Sequence, residues 1–183
     1  MYDKGISLKL SQQFQLGFDN NKDSLLYGRL IFPVRHPWSD FLVTISGRTL
    51  IGGSPKYRHL SFLGNRCLYG IPRQEKLERV AIVEGQLDAI SLESLGIPTY
   101  AVLGSSPLTG WQVGLLKRWT NNIVIYGDND TAGKNAAANW KQRLDKEGFK
   151  SIIGPYPPSI YAKDPNDLVR DNPEYIRKVL QCG

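Results

Sequence analysis

Apolar and polar positions follow two different rhythms along this chain, and the change falls near residue 78. Before it, short apolar runs are broken by turn residues. Residues 6–15 read as a short helix, and Leu16-Gly17-Phe18 leads into the polar turn Asp19-Asn20-Asn21. Residues 29–34 (RLIFPV) form a short strand ending at proline. His36-Pro37-Trp38-Ser39-Asp40 is a turn, and residues 41–46 are the next strand, closed by Gly47. Gly52-Gly53-Ser54-Pro55 opens a loop that carries Lys56-Tyr57-Arg58. Residues 1–77 are therefore expected to form a small α+β lobe. After residue 78 the runs are of buried-strand type: 80–83 (VAIV), 100–103, 123–126 and 151–153. Between them lie helical stretches at 86–95, 111–119 and 131–147, with Gly96 and Gly148 as natural stops. Buried strands that alternate with helices predict an α/β domain over 78–155, a mainly parallel four-stranded sheet flanked by helices. Asn172-Pro173 opens a final helix in an extension, 156–183.

Charge sharpens this division. The net charge is +6, and residues 1–77 hold 11 Lys and Arg against 5 Asp and Glu, whereas 78–183 carries 12 of each. The whole surplus sits in the first lobe and points to a polyanionic partner there. Other features narrow the class. No run approaches the ~20 apolar residues of a membrane span, and MYDKGISLKL lacks the pattern of a signal peptide. Cys67, Cys182, His36 and His59 form no C-x-x-C pattern, so no zinc is expected in this chain. The expected setting is the cytoplasm, without a membrane partner.

The candidate chemistry lies where ligands bind in open parallel sheets, beyond the carboxyl ends of the strands. Glu84-Gly85 follows the first strand. Asp128-Asn129-Asp130 follows the third after one glycine, and Asp164 lies beyond the fourth. Taken singly, each has an ordinary reading: Glu84 as a strand end, Asp128 and Asp130 as helix-capping acids, Asp88 as a solvated helix residue, Asp164 as a turn former. Together on one rim they repel one another unless a cation offsets the charge, and an all-oxygen set suits Mg²⁺. Gly104-Ser105-Ser106, on the same rim, can offer backbone N–H groups to a phosphate.

The motifs Val83-Glu84-Gly85-Gln86-Leu87-Asp88 and Gly127-Asp128-Asn129-Asp130-Thr131-Ala132-Gly133 resemble the two signatures of TOPRIM domains. Further segments resemble, in order, the catalytic core of bacterial-type (DnaG-like) DNA primases. They are Lys4-Gly5-Ile6-Ser7, residues 28–34, Gly47-Arg48, Pro55-Lys56-Tyr57, Leu68-Tyr69-Gly70 and residues 163–169. The resemblance implies a nucleotidyltransferase that makes short RNA primers on single-stranded DNA from ribonucleoside triphosphates, with two or more Mg²⁺ or Mn²⁺ ions. By the same resemblance Glu84, Asp128 and Asp130 are catalytic metal ligands, and Asp88 and Asp164 are further acids at the metals. Arg29, Arg48, Lys56, Tyr57, Arg66 and Lys134 then face nucleotide or template. A replicative helicase and a zinc-binding module are implied as partners outside this stretch, in a bacterial cell or a phage-infected host. Three positions depart from the family pattern: Asn129 and Asn166 replace a usual glycine and a usual acid, and Gly64 replaces a basic residue, with Arg66 nearby.

Two other readings remain open at this point. A TOPRIM nuclease would use a similar acidic cluster, and a non-catalytic module could bind single-stranded nucleic acid through the basic lobe alone. Among the tryptophans, Trp111, Trp119 and Trp140 are expected in the core and Trp38 in a polar turn.

Overall fold

Two four-stranded sheets divide the chain where the apolar rhythm changes. The computed structural model describes residues 6–50, 53–60, 67–104, 107–158 and 161–181. Lys4-Gly5, Ser105-Ser106 and Arg66 therefore lie outside the described residues.

The first lobe opens with α1 (Leu8–Gln13), whose N-cap Ser7 accepts a hydrogen bond from the Leu10 amide at 3.2 Å. Its sheet is antiparallel, in the order β1 (Gly17–Phe18), β2 (Arg29–Arg35), β3 (Leu42–Thr49), β4 (Tyr57–His59). Leu30, Phe32 and Val34 alternate along β2 and are buried, the period-two signature of a strand with one face on the core. Two expectations need correction. Gly47 does not end β3, because it pairs with Ile31 on one side and Arg58 on the other, and the strand continues to Thr49. A Cβ at Gly47 would meet Arg29 Cδ at 3.1 Å, so glycine there makes room for an inward-facing arginine. Residues 57–59 form an edge strand and not part of a loop.

The second sheet is parallel throughout, in the order β6 (Thr99–Ala101), β5 (Val80–Val83), β7 (Asn122–Tyr126), β8 (Lys150–Ile153). Helices α2 (Gln86–Ser94), α3 (Gly110–Trp119) and α4 (Thr131–Lys146) make the crossovers. All four residues of β5 are buried, as a central strand covered on both faces requires. Alternation sorts them. Ala81, Val83, Val124 and Tyr126 share one core with Ile90 of α2 and with Phe32 and Tyr69 of the first lobe. Val80, Ile82, Ile123 and Ile125 share the other with Trp119 of α3 and Trp140 of α4. The lobes are thus joined through a common core, and Tyr69 and Ala101 exchange backbone hydrogen bonds of 2.9 and 2.7 Å.

The extension holds two helices, α5 (Pro165–Asp171) and α6 (Pro173–Gln181). Only the second was expected. Asp164 caps α5, accepting from the Asp167 amide at 2.8 Å, and Pro165 occupies its first turn. Leu168 and Ile176 add to the core shared with the first lobe. Trp119 and Trp140 are fully buried as expected, but Trp111 is 68% exposed. Among the described residues no helix is long and apolar enough to cross a membrane.

Candidate active site

The carboxyl ends of the parallel strands open into a cleft of about 320 Å³. Glu84, Asp88, Asp128, Asp164 and Asp167 line one wall, and Arg48 of β3, Lys56 just before β4, and Tyr57 and His59 of β4 line the other. Each acid is placed by a local feature of the chain. Glu84 is the first residue beyond β5, and its Oε1 accepts from the Asp128 amide at 3.0 Å, which ties together the ends of neighbouring strands. Asp88 sits on the first turn of α2, only 8% exposed, and its Oδ1 accepts from the Asn166 amide at 3.2 Å. Asp128 lies against the start of α4 because Gly133 lets the helix backbone come close. A Cβ at that glycine would meet Asp128 O at 2.3 Å.

Two departures from the family pattern have partners that account for them. Asn129 donates its backbone N–H to Lys163 O at 2.7 Å and its side-chain Nδ2 to Ala162 O at 3.0 Å. This clamp holds the segment that delivers Asp164 to the cleft. Asn166 is buried, and its Nδ2 bonds Ser91 Oγ on α2. Just beyond the second strand, Leu103 and Gly104 both donate to Glu84 O, at 3.0 and 3.2 Å. Leu103 adopts φ +65°, a left-handed backbone that is strained for a bulky side chain.

The electrostatics follow from this crowding. Burial pushes the Asp88 carboxyl up to about 8, with the charges of Asp164 and then Asp128 adding to the effect. Burial likewise raises Asp128 to about 7, helped by Glu84, Asp164 and Asp130 and opposed by Lys56. The cleft is therefore short of positive charge on its acidic wall. Across it, Arg48 donates to the Tyr57 hydroxyl at 2.9 Å and lies 5.4 Å from the centre of the Tyr57 ring.

The comparisons with known proteins agree with this architecture. Residues 81–169 match the Toprim-like family. A DNA primase of Clostridium acetobutylicum is 34% identical over 151 residues, which cover 79% of this chain and 25% of that protein. The chain thus matches a quarter of the length of that relative. A solved DnaG catalytic core superposes with a TM-score of 0.80 at 25% identity, over 99% of this chain and 70% of that one. The zinc-binding and RNA polymerase domains of the Aquifex aeolicus primase superpose with a TM-score of 0.83 at 22% identity, over 99% of this chain and 54% of that one. This chain is a DnaG-like TOPRIM core.

Within this primase-like core the expected site residues separate into groups. Glu84, Asp88, Asp128, Asp164, Arg48, Lys56 and Tyr57 come together in the cleft. Asp130 lies at its margin: it is exposed, and its Oδ1 caps α4 by accepting from the Gly133 amide at 2.8 Å. Lys134 is exposed on the first turn of α4 and does not line the cleft. Arg29 is placed differently from the expectation that it faces nucleotide. It is 8% exposed, and its guanidinium donates to Gly47 O at 3.3 Å, Pro55 O at 3.0 Å and Lys56 O at 3.5 Å. Its role in the core is to hold the segment that carries Lys56. Sequence reasoning missed His59 as a lining residue, whereas Asp167, next to the Asn166 that replaces a usual acid, was the expected substitute for that acid and does line the cleft. The signal for His59 was its two-residue spacing from Tyr57, which puts both on one face once β4 is recognised as a strand.

Proposed function

We propose that this core catalyses metal-dependent, template-directed synthesis of short RNA primers on single-stranded DNA. One observation carries the reading: a wall of carboxylates, Glu84, Asp88, Asp128, Asp164 and Asp167, faces Arg48, Lys56, Tyr57 and His59 across one cleft. An acidic wall alone would suit any cation, and a basic wall alone any polyanion. Facing each other, they suit a nucleotide whose phosphates lie between metal and cationic side chains.

The donor set fits Mg²⁺ or Mn²⁺. It is all oxygen, and the upward displacement of Asp88 and Asp128 marks a place where positive charge is wanted. Among the described residues no three His, Cys, Asp or Glu side chains are gathered into a ready ligand group. Mg²⁺ sites of this kind commonly take one or two carboxylates and are completed by water and substrate phosphates. Glu84, Asp128 and Asp164 would hold the ions, with Asp88 and Asp130 in support. When bound, the ions supply charge stabilisation for the attacking and leaving oxygens of an in-line phosphoryl displacement. Arg48 and Lys56 bind phosphate oxygens, and Tyr57 fixes the plane of the Arg48 guanidinium. Arg29 holds the Lys56 backbone in register. The Glu84 carbonyl fixes the Leu103-Gly104 turn over the cleft floor. Single-stranded DNA, ribonucleoside triphosphates, a helicase and a zinc-binding module are the partners that this reading entails.

The test is incorporation of labelled ribonucleotides on single-stranded DNA with Mg²⁺ or Mn²⁺, comparing the wild type with Asp128→Asn. Short RNA from the wild type, lost in the variant, is the expected outcome. Metal-dependent cutting of the template without RNA products would identify a nuclease instead.

A further inference from the structure

Away from the acidic cleft, the outer face of α3 carries a shallow groove of about 430 Å³ lined by His36, Gly110, Trp111, Gly114, Leu115 and Arg118. Its composition is unusual for a surface of this kind. Trp111 leaves 68% of its surface in water, although burying such a ring stabilises a fold. His36 stacks on Phe41 with ring centres 5.0 Å apart and an interplanar angle of 12°, and Phe41 is itself 57% exposed. The Arg118 guanidinium lies 5.0 Å from the centre of the Trp38 ring. Among the described residues Arg118 forms no salt bridge, whereas its neighbour Lys117 is paired with Glu147 at 2.8 Å. None of the six lining residues is acidic. Gly110 and Gly114 leave the floor open, with no atom within 4 Å of where a Cβ would stand.

We propose that this groove is a stacking and phosphate-binding station for single-stranded DNA just outside the catalytic cleft. Exposed aromatic faces beside an unneutralised guanidinium are what a single strand requires: flat surfaces for bases and a cation for the intervening phosphate. A partner protein would also cover apolar surface, but the uncompensated positive charge favours a polyanion. The groove is also within reach of the cleft. Gly104 lines the cleft and Gly110 the groove, and the six residue-to-residue steps from one to the other span at most ~20 Å. A strand leaving the cleft would arrive within a few nucleotides. The proposal rests on the primase reading for the identity of its strand, but not for its measurement.

The experiment is binding of fluorescent oligodeoxythymidylates, from about 4 to about 30 nucleotides long, to the whole chain in chelator. Trp111→Ala should weaken binding of the longer strands roughly five- to hundredfold and leave the shortest unaffected, with Trp111→Phe retaining most of the affinity. Arg118→Gln should reduce the dependence of log affinity on log salt by about 0.7. Because Trp111 is exposed, its replacement does not threaten the core. Equal affinity of wild type and Trp111→Ala at every length would overturn the proposal and leave the groove to a protein segment. A core that makes primers yet shows that equality refutes the groove alone. A core whose DNA binding depends on Trp111 but which makes no RNA refutes the catalytic reading alone.

Discussion

Replacing Asp88 by asparagine should stabilise the metal-free protein while impairing its chemistry. The carboxyl is buried against the first turn of α2, and burial, then Asp164 and Asp128, raises its pKa to about 8 from the ordinary 3.8. The folded state therefore binds this proton more tightly than the unfolded state. The contribution of this group to wild-type stability is greatest below about pH 4, falls as pH rises, and stops falling above about pH 8. Each pH unit in that interval costs about 1.4 kcal/mol, so the penalty accumulated by pH 7 is on the order of 4 kcal/mol. Asparagine has the same shape, keeps an oxygen for the Asn166 amide and carries no titrating proton. The variant should gain about 2–4 kcal/mol in chelator at about pH 7.5, roughly 5–15 °C in Tm for a chain of this size. The gain should vanish near pH 4, where both proteins are neutral at this position. It should also shrink in saturating Mg²⁺, which stabilises the wild type by occupying the cleft. Thermal melts of both proteins at three pH values, with and without Mg²⁺, measure all of this. A variant no more stable than wild type in chelator, or a gain that persists at about pH 4, would refute the reasoning.

Arg29→Met should lower stability by about 2–3 kcal/mol in urea melts, because buried carbonyls of Gly47, Pro55 and Lys56 lose their donor. Lys56→Ala should change stability by less than about 0.5 kcal/mol yet raise the KM for nucleotide, since its side chain faces the cleft. Gly133→Ala should cost about 1–3 kcal/mol and weaken Mg²⁺ binding in calorimetric titration, because the new methyl would collide with the Asp128 carbonyl.

The parallel sheet was legible because its evidence is local. Val80–Val83 is a four-residue apolar run followed at once by Glu84-Gly85, and a buried central strand leaves no other reading. The acids at strand ends followed from topology alone. Three features were hidden for physical reasons. β4 is three residues long at a sheet edge, with only Tyr57 partly buried, so no alternation marks it. Trp111 was misplaced by helical phase: Gln112, Val113, Leu115, Leu116 and Trp119 set the buried face of α3, and Trp111 falls outside it. Arg29 resembled a surface cation because its partners are carbonyls from β3 and the segment before β4, which no short-range pattern reveals.

The Asn166 amide reaches Asp88 across a separation of 78 residues in the chain. On a ribosome adding about 5–20 residues per second, the acid is made roughly ten seconds before its donor. Strand β5 precedes Asp88, and β6, β7 and β8 are all made in that interval, as are Asp128 and α4. For that time the nascent domain has its other cleft acids but neither the last amide nor Asp164. The cleft is thus finished by the part of the chain that contributes no strand to it, and its completion marks the emergence of α5.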